Sequence, residues 1–134
     1  MRREAIPETP VRIIRAHDFI RAAPQGELDL KESEKLLKEI ASGSAVLADY
    51  ELILDTRRAQ IEMSATDLWY LASELSKLRG TFSRHKMAVL CPLERFDRAE
   101  FFALCAKNRG FQVMAFTSFE DAIEWLTANG TPEA

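Results

Sequence analysis

Ser64 stands just before Leu68, Leu71, Ala72, Leu75 and Leu78, whose spacing is that of one helical face. A hydroxyl at such a junction can do two things. It can cap the helix by accepting a free amide, which is worth about 1 kcal/mol. It can also carry a phosphate, which would meet unpaired amides and the positive end of the helix dipole and add about −1.5 to −2 charges at pH 7. Capping is the simpler reading, and phosphorylation or partner contact is the sharper one. Thr66, on the same turn, is the weaker candidate. Arg57 and Arg58 directly follow Asp55, at the end of the most strand-like run, Glu51–Asp55. Open α/β sheets bind ligands beyond the carboxyl ends of their strands. This pair is therefore the candidate contact for a phosphate or carboxylate, set against a reading as solvated loop charges.

The remaining reactive types form no motif. Cys91 and Cys105 make no CxxC pair, and His17 and His85 give them no zinc spacing. Neither histidine has a neighbouring carboxylate or thiol that suggests a triad. No catalytic residue, metal or cofactor is expected, and the thiols read as reduced and partly buried, as in a cytoplasmic protein. Arg79, Arg84, His85 and Lys86 read as a solvated basic loop after Gly80. Phe96, Phe101, Phe102, Phe111, Phe116 and Phe119 crowd the last third and are expected mostly in the core. Trp69 and Trp125 lie off the apolar stripes, a position suited to partner contact or to covering a helix end.

The elements that must hold these residues are readable. The 134-residue length suits one domain, and the net charge of −3 argues against a nucleic-acid binder. No apolar run is long enough to cross a bilayer, and no secretory leader is expected after Met1-Arg2-Arg3-Glu4. Residues 1–10 read as a flexible lead-in, 11–130 as a single domain and 131–134 as a tail. Val11–Arg15 and Phe19–Ala22 suit a hairpin, and Pro24-Gln25-Gly26 breaks the chain. Asp29 with Glu32 opens a helix carrying Leu36, Leu37, Ile40 and Ala41, which Ser42-Gly43-Ser44 ends. After Glu51–Asp55 and the Ser64 helix, Gly80 is the expected stop. Met87–Cys91 is the next strand. Asp97 with Glu100 opens the helix that Asn108-Arg109-Gly110 closes. Phe111–Phe116 is the last strand, and Ser118 with Asp121 caps the last helix. The order β-β-α-β-α-β-α-β-α predicts an α/β fold: a mixed sheet of about five strands with four helices, an antiparallel edge and parallel later strands.

Three stretches in that order resemble a known family. Leu28-Asp29 leading to Leu36-Leu37, with Gly26 ahead of it, is similar to a "G-x-L-D … LL" passage. Leu52-Ile53-Leu54-Asp55 resembles a "hydrophobic-x-D" strand. Phe119 to Leu126 resembles a closing "EA-x-x-WL" helix, with Asp121 in place of Glu. The resemblance is to the STAS fold of bacterial anti-sigma-factor antagonists, and more closely to stand-alone SpoIIAA-like proteins. It implies a non-enzymatic regulatory or protein-interaction module, with a protein partner and a homodimer as the expected assemblies. In the antagonists the matching helix opens with Asp-Ser-x-Gly, whose serine is phosphorylated. Here Met63 and Thr66 flank Ser64 in place of the acidic residue and the glycine. SpoIIAA-like chains also resemble Sec14-like lipid carriers, which implies the alternative function: binding a small apolar or anionic ligand, lipid- or nucleotide-like, in a pocket. No nucleic acid and no stable membrane association are expected.

Overall fold

The computed structural model describes residues 11–14, 19–44, 51–82 and 85–128. The expected lead-in, His17, Arg84 and the tail lie outside them. Strand β1 (Val11–Ile14) pairs antiparallel with β2 (Phe19–Ala22), as the hairpin reading requires. The chain then forms a short strand β3 (Gly26–Leu28), helix α1 (Leu30–Ser44), β4 (Glu51–Asp55) and a second short strand β5 (Ala59–Ile61). Helices α2 (Ala65–Leu75) and α3 (Arg79–Phe82) follow, joined by a 3-10 turn. Then come β6 (Lys86–Leu90), α4 (Phe96–Lys107), β7 (Gln112–Phe116) and α5 (Phe119–Thr127). The main sheet runs β1-β2-β4-β6-β7, with every pair after the first parallel.

The apolar pattern explains the layering. Alternate strand residues point to opposite faces. Ile20, Ala22, Leu52, Leu54, Met87, Val89 and Val113 form one core with the buried stripes of α1, α2 and α4. Phe19, Ile53 and Ala88 face the other way, against Ala122 and Leu126 of α5. Strands β4 and β6 are therefore buried on both faces and read as continuous apolar runs, whereas the edge strand β7 alternates. Asp29 caps α1, its Oδ1 accepting from the Glu32 amide at 2.8 Å. Ser118 caps α5 through the Asp121 amide at 3.2 Å.

Several expectations need correction. The Pro24-Gln25-Gly26 break and the loop after Asp55 hold β3 and β5, which pair parallel as a separate two-stranded sheet. Three-residue strands are too short to show a period, and only their long-range pairing defines them. Gly26 has φ of +81°, a backbone that favours glycine. Gly80 does not stop the helix: it sits inside α3, which continues to the buried anchor Phe82. Helix α1 likewise runs through Ser42 and Gly43. Asp97 is no cap. It lies in the first turn of α4, whose N-cap position is Arg95, because the 3-10 turn Leu93–Arg95 feeds directly into the helix. His85 is buried rather than solvated. Arg79 donates to the Arg109 carbonyl at 3.0 Å and stacks on Phe111, and Lys86 belongs to β6.

Candidate ligand-binding pocket

The three helices on one face do not fill the space at the carboxyl ends of β4 and β6. A cavity of about 70 Å³ remains there, walled by Leu36 and Leu37 of α1, Leu68 and Leu71 of α2, and Phe102 of α4. Leu28 and Ile61, from the small β3–β5 sheet, help to line it. The lining is almost wholly apolar, with five exceptions: Ser33, Thr56, Cys91, Arg95 and Arg98.

Three of these are paired. Cys91 Sγ donates to the Phe116 carbonyl at 3.6 Å. The Thr56 hydroxyl donates to the Leu90 carbonyl at 2.9 Å, and Arg98 Nη1 donates to the Met63 carbonyl. Two others are not fully satisfied. Arg95 Nη2 donates to the Thr56 carbonyl at 2.9 Å, but its buried Nη1 has no partner among the described residues. The buried Ser33 hydroxyl has none either. Each such orphan costs about 1–3 kcal/mol. Burial pushes the Cys91 thiol up, Arg95 opposes this and Glu94 adds to it, with the net direction upward. The thiol therefore stays protonated near neutral pH and is a poor nucleophile.

The candidate site residues Ser64, Thr66, Arg57 and Arg58 lie outside this pocket. Ser64 is exposed at the start of α2 in a reciprocal capping box: its Oγ accepts from the Asp67 amide at 3.1 Å, and Asp67 Oδ2 accepts from the Ser64 amide at 3.1 Å. Thr66 is exposed on the same turn. Arg57 and Arg58 lie on the opposite face of the sheet, where they border a second concavity with Arg21 and Asp55. Asp55 is only 4 % exposed and ties Arg57 and Arg21 together. Burial pushes its carboxyl up, but hydrogen bonds from Arg57 and Arg21 outweigh that and hold it below the usual carboxylate value. Trp125 is half-buried, packed on Phe116 and under the Lys86 ammonium at the end of α5. Trp69 and Tyr70 remain about half exposed on α2, with the Arg109 guanidinium over the Trp69 ring. Among the described residues, no group of three His, Cys, Asp or Glu could hold a metal ion, and no helix is long and apolar enough to cross a membrane.

The sequence held one overlooked signal for the pocket. Ser33 falls in register with Leu36, Leu37 and Ile40, a polar residue on a core stripe. Arg95, after Pro92, carried no such mark.

No family model matches the sequence, and no curated protein is detectably similar to it. A search of solved structures is informative. It finds an uncharacterized protein of the DUF3478 family from Shewanella loihica PV-4, described with a SpoIIAA-like fold. The two superpose with a TM-score of 0.57 over 88 % of this chain and 91 % of that one, at 16 % identity. The fold is SpoIIAA-like. That agrees with the resemblance carried by Leu28-Asp29, Leu52–Asp55 and the α5 helix. At such low identity the SpoIIAA-like assignment concerns architecture, and the chemistry of the pocket rests on this chain's own residues.

Proposed function

We propose that the protein is a non-enzymatic binding module. Its ligand is a small, mostly apolar molecule with one acceptor group, best an anionic one such as a carboxylate. A single observation carries this reading: two residues that line one largely apolar cavity, Arg95 and Ser33, each carry a buried polar atom, Nη1 and Oγ, with no partner among the described residues. A buried guanidinium nitrogen is costly without a partner, and an acidic guest reaching Arg95 Nη1 supplies one. The Arg95 bond to the Thr56 carbonyl holds the guanidinium in place before any ligand arrives, which lowers the ordering cost of binding. The volume suits a short chain or the head of a longer molecule.

The test is a thermal-shift and native mass-spectrometry series with butanoate, hexanoate and octanoate, and with the alcohols of equal length. At 100 times Kd a ligand adds about 2.7 kcal/mol. The acids are expected to raise Tm and the alcohols to do so less. Arg95→Met is expected to abolish the difference. Equal shifts for acid and alcohol, or an unchanged acid response in Arg95→Met, would refute the reading.

A second reading, a regulatory module that contacts a protein partner, is favoured by the exposed Trp69–Tyr70 pair, edge to face at 5.3 Å on α2. Aromatic anchors of this kind concentrate binding energy at interfaces. Ser64 caps the same helix, and Thr66, three and four residues before the pair, shares its face, so a phosphate on Thr66 would alter that surface. A homodimer is the simplest assembly. Sedimentation of wild type, Trp69→Ala and Ser64→Asp tests it, and identical monomers in all three at high concentration count against it.

A further inference from the structure

Among the described residues, α5 alone covers the sheet face opposite the pocket. That helix reaches Phe19, Ile53 and Ala88 through Ala122 and Leu126. At the carboxyl ends of β2 and β4 an ionic cluster takes the place of a helix. The register sets Arg21 opposite Ile53. Arg21 and Asp55 therefore stand on the same face, one diagonal step apart. Asp55 Oδ1 accepts from the Arg57 amide at 3.1 Å and from Arg57 Nε at 2.9 Å. Its Oδ2 accepts from Arg57 Nη2 at 2.9 Å and from Arg21 Nη2 at 2.7 Å. One buried carboxylate thus holds two guanidinium groups side by side.

Both retain donors directed away from that carboxylate. The side chains of Arg21 and Arg57 are 27 % and 43 % exposed, so the remaining donors are open to solvent. Arg58 is exposed, and its side chain makes no hydrogen bond to the described residues. Together with Ala23 and Gln25 the three arginines and Asp55 border an open concavity of about 410 Å³. Three guanidinium groups against one carboxylate leave a local excess of two positive charges. Rotamer freedom is the usual cost of an arginine clamp, and Asp55 has already restrained two of the three.

We propose that this cradle is a binding site for a phosphate dianion, free or as a monoester. Two preset guanidinium planes offer forked donors that match phosphate oxygens, and the charge excess matches a dianion. Arg58 closes over the bound group from the open side. The site is separate from the apolar pocket, which lies across the sheet, and either can fail without the other.

The test follows backbone amides in two-dimensional NMR spectra at low salt, titrating first inorganic phosphate and then phenyl phosphate. Saturable shifts are expected at residues 21–23, 25 and 55–58, weakening as salt rises. Arg58→Ala should lower the affinity about tenfold with an unchanged melting temperature, since one charge-assisted contact is lost and no internal partner is orphaned. Arg21→Gln should lower it further, and its fold is checked by the same spectra. Binding of both ligands at these residues supports the proposal, as does binding of either one alone provided that Arg58→Ala weakens it. The proposal is overturned if these residues do not respond up to about 10 mM phosphate, a Kd too weak to matter. Equal affinity in wild type and Arg58→Ala overturns it too, as do shifts that appear only at residues lining the apolar pocket.

Discussion

Replacing Asp55 by Asn keeps the size of the side chain and removes its charge. The carboxylate accepts three side-chain hydrogen bonds and one backbone hydrogen bond, from Arg57 and Arg21. Breaking a fully buried ion pair from one side costs about 3–5 kcal/mol. Here the carboxylate is buried, but the arginines are 43 % and 27 % exposed and regain water. The expected cost is therefore about 2–3 kcal/mol at pH 7, below that range. In a chain of this size that lowers Tm by about 10 °C. The pH dependence is diagnostic. The folded carboxyl titrates below its ordinary value of 3.8. Its contribution is thus fully present above that value and is lost as pH falls through the folded pKa. Urea unfolding of wild type and Asp55→Asn between pH 7 and pH 2 should show a gap that is constant above about pH 5 and narrows below pH 4. A gap that stays constant down to pH 2, or one under about 0.5 kcal/mol at pH 7, would show that Asp55 does not hold the arginines as an ion.

Ser64→Ala should destabilise by about 1 kcal/mol, because it leaves the Asp67 amide without its cap; a change below about 0.3 kcal/mol in chemical denaturation contradicts that role. Two glycines should respond in opposite directions. Gly110→Ala should cost about 1 kcal/mol or more, since its φ of +91° strains any other residue, while Gly80→Ala, in α3 with open space around it, should stabilise by about 0.5–1 kcal/mol. Losses of equal size in thermal melts of the two variants would refute the backbone argument.

Long periodic segments were legible from sequence, and short or junctional ones were not. Leu68, Leu71, Ala72 and Leu75 announce α2 because burial repeats every three or four residues, and all four are buried. Glu51–Asp55 and Met87–Cys91 announce central strands because both faces are covered, and the structure places the second at Lys86–Leu90. By contrast, Ala59–Ile61 is a strand only because Gly26–Leu28 lies beside it. Gly80 signals a helix stop by local preference, yet Phe82 gains more from burial than a glycine costs in a helix, about 1 kcal/mol. Asp97 has the right type for a cap, but the 3-10 turn before it sets the helix start elsewhere.

The candidate sites divide along the same line. Arg57 and Arg58 were visible as neighbours of Asp55, and Ser64 as a cap, since each depends on residues a few positions away. Arg21, 34 residues from Asp55, was not. Nor was the Arg95–Thr56–Ser33 group, which joins the turn after β6, the end of β4 and the buried face of α1. The amino-acid sequence by itself determined the order of the five main-sheet strands and the four long helices, their apolar faces and the parallel sheet, because hydrophobic periodicity and short-range capping are local properties. The tertiary structure alone decided which polar atoms are buried without partners and which charges share one carboxylate. Those depend on how helices pack across strands far apart in the chain, and no local pattern encodes the gap they leave.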